Sequence, residues 1–120
     1  MKRFVAGMIT SWSVLGLAVL AQQAASEKIR QPQLLVDNQK VKMVRWSLQP
    51  GERSPVHTHS LDHIYVVIHG SKIRDFISRN GTHDDDQETG RAAYSVAAGK
   101  THYFQNVGTA PYEMISIELK

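Results

Sequence analysis

Eight short segments rich in β-branched and aromatic residues, most of them closed off by turn-forming residues, constrain this chain more than anything else in it. They are Leu34–Val36, Val41–Leu48, Val56–His59, His63–His69, Lys72–Ser78, Ala92–Val96, His102–Asn106 and Glu113–Leu119. Pro50-Gly51, His69-Gly70-Ser71, Asn80-Gly81 and Gly108-Thr109 punctuate them, and residues of this kind stop strands because they preset or tolerate turn dihedrals. After the first 21 residues no stretch sustains a helical apolar period, so an all-β sandwich or barrel follows. Thr82 to Glu88, with Asp84, Asp85 and Asp86 at its centre, reads as an exposed acidic loop between strands.

The N-terminus has a different composition. Lys2 and Arg3 precede a largely apolar stretch from Phe4 to Leu20, and Val19-Leu20-Ala21 offers small residues for a signal peptidase. Residues 1–21 are therefore expected to be a signal peptide, with cleavage after Ala24 or Ala25 as the next choice. The alternative is a retained anchor, against which Gly7, Gly16 and the hydroxyl residues argue. Residues 22–33 read as a flexible lead-in and 34–120 as one small domain, with no internal repeat or linker. Without Lys2 and Arg3 the chain keeps 12 basic and 11 acidic side chains, a net charge of +1 in place of +3. No basic stripe with interleaved aromatics remains, so nucleic acid is not an expected partner, and no stable membrane insertion is expected after cleavage. The absence of cysteine excludes disulfides and thiolate ligands. A periplasmic or secreted location is the economical expectation.

Histidine spacing carries the chemistry. His57 and His59 are two apart, so on a strand they project the same way, about 7 Å apart along the chain, and a metal ion fits between them. Ser60-Leu61-Asp62 is long enough for a turn that brings His63 back, and His102 must arrive from a distant strand. Imidazole is the commonest side-chain ligand of transition metals. His69, at a strand end, and His83, beside the aspartates, show no convergent partner and read as ordinary surface or hydrogen-bonded residues.

Gly51-x5-His57-x-His59-x3-His63-x6-Gly70 and Gly99-x2-His102-x3-Asn106 resemble the two signature motifs of the cupin superfamily, G-x5-H-x-H-x3,4-E-x6-G and G-x5-P-x-G-x2-H-x3-N. The first matches at every spacing, with His63 where most cupins have glutamate. In the second, Ala97 replaces the proline and Gly90 lies one residue too far upstream. The resemblance spans roughly residues 40–119. It implies a double-stranded β-helix, the cupin jelly-roll barrel, and one divalent transition metal (Fe, Mn, Ni, Cu or Zn) on His57, His59, His102 and His63. His63 is either a ligand or a hydrogen-bond donor behind the ligands.

Two strands bear on the ligand and partner. His63, Tyr65 and Val67 share one face of their strand and Ile64, Val66 and Ile68 the other, so both faces are apolar. If the first set lines the barrel, the second needs cover, and cupins commonly dimerise through such strands; a homodimer is expected. Glu113, Ile115, Ile117 and Leu119 alternate with Met114, Ser116 and Glu118, as in a strand with one buried face. Tyr65, Arg45, Arg74, Phe104 and Met114 are candidate pocket residues, with Arg45, Tyr65 and Phe104 the first choices for a small-molecule ligand. An arginine there would suit a carboxylate, and an ion held only by neutral imidazoles would favour an anion.

Three functions fit. The first is a mononuclear metalloenzyme, dioxygenase- or oxidoreductase-like by resemblance, acting on a small carboxylate or carbonyl compound, with Tyr65 and Glu113 as candidates for proton transfer. The second is a non-catalytic module that binds metal and a small ligand. The third is a structural cupin without metal. Fold alone does not choose among them.

Overall fold

The structure, a computed structural model, describes residues 28–77 and 81–120. The expected signal peptide lies outside the described residues. The described chain forms strands β1 (Gln33–Asp37), β2 (Val41–Leu48), β3 (His57–Thr58), β4 (His63–His69), β5 (Ser71–Ile77), β6 (Gly81–Gln87), β7 (Ala92–Ser95), β8 (Thr101–Asn106) and β9 (Tyr112–Leu119). They make two antiparallel sheets, in the orders β1-β2-β9-β4-β7 and β3-β8-β5-β6.

The pairing is nested. β2 pairs with β9, β3 with β8, β4 with β7 and β5 with β6, and successive pairs alternate between the two sheets. The chain is thus a long hairpin whose innermost strands are β5 and β6, wound as a unit, which is a double-stranded β-helix. Non-local pairing of this kind places residues far apart in sequence directly opposite one another.

Alternation along each strand decides what fills the interior. Trp46 and Leu48 on β2, Val67 on β4, Ile73 on β5, Phe104 on β8, and Tyr112 and Met114 on β9 form one buried cluster. Leu48 and Val67 are each 1% exposed, and burial of such side chains is worth about 1.5–3 kcal/mol apiece. Asn106, which is fully buried, ties β2, the start of β5 and the segment between β8 and β9 together. Its Nδ2 donates to the Leu48 carbonyl at 3.0 Å and the Ala110 carbonyl at 2.8 Å. Its Oδ1 accepts from Ser71 Oγ at 2.8 Å and Gly108 N at 3.0 Å. Every donor and acceptor of the side-chain amide is thereby used.

One expectation is corrected here. Thr82 to Glu88 is not a loop: most of it is strand β6, paired with β5 along its length. Two of its carboxylates are met by arginines, Arg74 Nε on Asp84 Oδ1 and Arg91 Nη1 on Asp85 Oδ2, both at 2.7 Å. As the edge of its sheet, β6 can carry charge that a central strand would not tolerate. Ahead of β1, residues 28–30 run beside Arg53. Arg53 N donates to the Lys28 carbonyl and Arg30 N to the Arg53 carbonyl, each at 2.9 Å, while Arg30 Nε reaches Glu52 Oε2 at 2.8 Å.

Candidate metal centre

His57 and His102 stand directly opposite one another in the β3–β8 ladder. Thr58, between His57 and His59, turns outward and its hydroxyl bonds Thr101 Oγ1 at 2.7 Å, so His57 and His59 point inward together. His59 is fixed just past the end of β3. Its N–H donates to the Lys100 carbonyl at 3.0 Å and its carbonyl accepts from Gly99 N at 2.7 Å. Gly99 makes that turn at φ +81°, a left-handed conformation that side chains disfavour.

One ring nitrogen from each of His57, His59 and His102 lies within 4.8 Å of the others. Nδ1 of His57 donates to the Pro55 carbonyl at 2.8 Å. Nδ1 of His102 donates to Asp75 Oδ1 at 2.9 Å. Both bonds leave Nε2 as the free lone pair, the arrangement that orients imidazole ligands and makes them more basic. His59 Nε2 lies 2.8 Å from His102 Nε2, so these two rings already converge on one point.

His63, expected in the same set, is outside this trio. It is 7% exposed, its ring stacks on His59 with centroids 4.7 Å apart, and its Nδ1 is buried without a hydrogen-bond partner. A buried polar nitrogen without a partner is costly, and this ring lies against that of one member of the trio, His59. Burial pushes the His57, His59 and His63 imidazoles below their ordinary range, His59 to about 4 with the neighbouring His102 adding to the effect. Neutral rings keep their lone pairs available at pH 7. The donor set fits a divalent transition ion of the imidazole-preferring group.

The trio opens into a cavity of about 250 Å³. Trp46 and Phe104 form its aromatic wall, edge to face at 5.0 Å between centroids, and Trp46 stacks on His57 at 5.6 Å. Tyr65, Ile73 and Met114 complete the apolar part, and Asp75, His83, Asp85, Gln87 and Lys100 the polar part.

No protein-family model matches the chain, and no curated protein does. Solved structures do match. A cupin domain from Bordetella pertussis superposes with a TM-score of 0.69 at 23% identity, covering 75% of this chain and 92% of that one. An RmlC-like cupin family protein with a double-stranded β-helix fold from Methanocaldococcus jannaschii gives 0.63 at 18% identity, covering 77% and 81%. A conserved protein with a double-stranded β-helix domain from Klebsiella pneumoniae gives 0.60 at 19% identity, covering 79% and 85%. The chain has the cupin fold.

Within that cupin fold the expected pocket residues divide. Tyr65, Phe104 and Met114 line the cavity. Arg45, Arg74 and Glu113 do not, and their expected roles are corrected. On β2 the inward residues are Trp46 and Leu48, so Arg45 falls on the outer face, where its Nε lies 3.2 Å from Glu113 Oε1. Glu113 is outside for the same reason, since Tyr112 and Met114 flank it inward on β9. Arg74 faces outward to Asp84. The cupin cavity therefore holds neither arginine nor Glu113.

Three residues went unrecognised in the sequence. Glu118 is on the inward register of β9, opposite His63, with Oε1 3.8 Å from His59 Nδ1. Asp75 holds His102, and His83, across from Asp75 on β6, borders the cavity. The Met114, Ser116, Glu118 alternation was the available signal for Glu118; for His83 the signal was lost once β6 read as a loop.

Proposed function

We propose that this chain is a metal-dependent small cupin and works as a mononuclear metalloenzyme of the dioxygenase or oxidoreductase type on a small carboxylate or carbonyl compound. The observation that carries the reading is the convergence of His57, His59 and His102 nitrogens at the wall of a cavity whose other lining is aromatic and apolar on one side and polar on the other. His57, His59 and His102 would hold one divalent ion (Fe, Mn, Ni, Cu or Zn), with His63 behind them or joining them. Such an ion supplies Lewis acidity and, for the redox-active metals, dioxygen chemistry. The chain's own residues orient and confine the ligand. Trp46 and Phe104 give it a flat apolar surface, and Tyr65, which lines the cavity with its ring centroid 6.4 Å from that of His63, is the candidate for moving a proton.

A second reading, a non-catalytic module that binds metal and a small ligand, is favoured by the position of Glu113 on the outer face. The same proposal includes export to the periplasm or secretion, and a homodimer formed through the outer face of the five-stranded sheet.

Elemental analysis of the protein from its native host tests the metal, beside a His57→Ala, His59→Ala variant. About one equivalent of a redox-active metal per chain, lost in the variant, followed by dioxygen consumption with carbonyl or carboxylate substrates, is the expected result. A full equivalent of metal with no turnover would favour the binding module. Native protein that is folded, metal-free and takes up none on reconstitution overturns both.

A further inference from the structure

An ion bound only by neutral imidazoles attracts anions, because nothing in the protein offsets its two charges. Two carboxylates stand immediately behind the imidazoles of this site. Asp75 Oδ1 is 2.9 Å from His102 Nδ1 and Glu118 Oε1 is 3.8 Å from His59 Nδ1. They come from different sheets, Asp75 from β5 and Glu118 from β9, so they approach the trio from opposite walls. Both are partly screened from solvent, with 34% and 22% of their side chains exposed.

The cavity repeats the same sign. Asp75 and Asp85 border it against one ammonium group, Lys100, and among the described residues no arginine lines it. Asp85 is already paired with Arg91. An incoming carboxylate would meet Asp75 with no guanidinium fork to receive it. Gln87, Ser95, Tyr65 and Ser116 supply uncharged hydrogen-bonding groups.

We propose that Asp75 and Glu118 are the counter-charges of the histidine site, so that the loaded site is close to neutral and its cavity takes an uncharged carbonyl- or hydroxyl-bearing small molecule in preference to a carboxylate. The inference rests on the metal reading above and narrows its substrate class. Asp75 and Glu118 are positioning residues: they act on the ion through His102 and His59.

The test uses Co²⁺ as a visible probe in the full chain, with azide as the anionic probe and imidazole as the uncharged one. Asp75→Asn and Glu118→Gln keep shape and remove charge. Each is expected to weaken Co²⁺ binding at least about tenfold, measured against a chromophoric chelator. In the loaded protein each is expected to tighten azide about tenfold, followed by the cobalt absorption bands, while imidazole stays within about twofold. A residue with a merely structural role would weaken every ligand together. That outcome, or unchanged affinities in a wild-type protein that binds Co²⁺, overturns the counter-charge inference and leaves the metal reading standing. Wild-type protein that takes up no Co²⁺ overturns the metal reading and this inference with it.

Discussion

His57 and His102 are cross-strand partners, 45 positions apart in sequence and directly opposed in the β3–β8 ladder, with ring centroids 4.5 Å apart. Register makes this pair: a slip of one residue in either strand would send one ring to the solvent face. The short edge strand β3, two residues long, is held in that register by Thr58 on Thr101 and by His59 on Lys100 and Gly99.

His102→Ala removes one of the three converging nitrogens and frees Asp75 of its partner. The expected outcome is a fall in bound metal from about one equivalent to near zero with the β-sheet circular dichroism signal unchanged. The side chain is only half-buried, so metal-free stability should change by less than about 1 kcal/mol. Retention of a full equivalent in the variant would show that the ion sits elsewhere.

Burial holds the His57, His59 and His63 imidazoles below 6.5, His59 at about 4, and this fixes the sign of a pH effect. Above pH 6.5 these rings are neutral in both folded and unfolded chains, and the folded state has its full stability. As pH falls through 6.5 toward 4, the unfolded chain binds protons that the folded chain refuses, and stability drops. Metal-free protein should show a flat melting temperature above pH 7 and a decline between about pH 6.5 and 4. A His59→Gln variant should decline less steeply. A melting temperature equal at pH 7 and pH 4.5 would contradict the burial of these rings.

How much of this was readable beforehand depended on which forces dominate each element. β2, β4, β8 and β9 carry strong alternating or apolar patterns and lie within a residue or so of their expected limits, because packing against the core rewards every inward position. β6 was missed because an Asp-rich run has low strand propensity, and what makes it a strand is tertiary: pairing with β5 and the Arg74 and Arg91 ion pairs. The faces of β9 were also ambiguous. Ile115 and Ile117 look more buried than Ser116 and Glu118, yet it is Ser116 that is 5% exposed, since the interior here is a polar site as well as a core. The convergence of His57, His59 and His102 was visible in spacing. Asp75 was not, because it reaches the site through a non-local pairing that spacing does not encode, and for Glu118 the alternation along β9 gave the face but not the partner.

Asn106 bonds two carbonyls, a hydroxyl and a backbone N–H at one buried point. Asn106→Ala would leave the Leu48 and Ala110 carbonyls and the Gly108 N–H without these partners, and unsatisfied buried groups cost about 1–3 kcal/mol each. Equilibrium urea unfolding of metal-free protein should show a loss of about 3 kcal/mol or more. A loss below 1 kcal/mol would mean that other groups or solvent replace the amide.

Gly70 and Gly90 separate close approach from dihedral strain. A Cβ on Gly70 would lie 2.2 Å from the Gln87 carbonyl oxygen and 2.7 Å from Thr89 N, both backbone atoms, so the β4–β5 turn must shift. Gly90 has φ +86° with open space around it, so alanine there meets only the backbone penalty, about 1 kcal/mol. Gly70→Ala should be the more destabilising of the two by at least about 1 kcal/mol in the same unfolding assay. The reverse order would place the strain of this fold in its dihedrals.

The outer face of the five-stranded sheet predicts an assembly. The pairings Met43↔Ile117, Ile64↔Ile117 and Val66↔Ile115 set Met43, Ile64, Val66, Ile115 and Ile117 side by side on that face, each half-buried. Ile68 and Tyr94 are more open, at 44% and 58% exposed. A contiguous apolar face of this kind is what a homodimer would cover, and a two-fold arrangement buries the same patch on both copies. Val66→Lys and Ile115→Glu each place a charge at its centre without touching the cavity. Analytical ultracentrifugation should give a dimer for the wild type and a monomer for each variant, with folded circular dichroism spectra. Wild-type protein that sediments as a monomer at about 50 µM would remove the homodimer from the proposal and leave this face to some other cover, while the histidine site, on the opposite side of β4 and β9, would be unaffected.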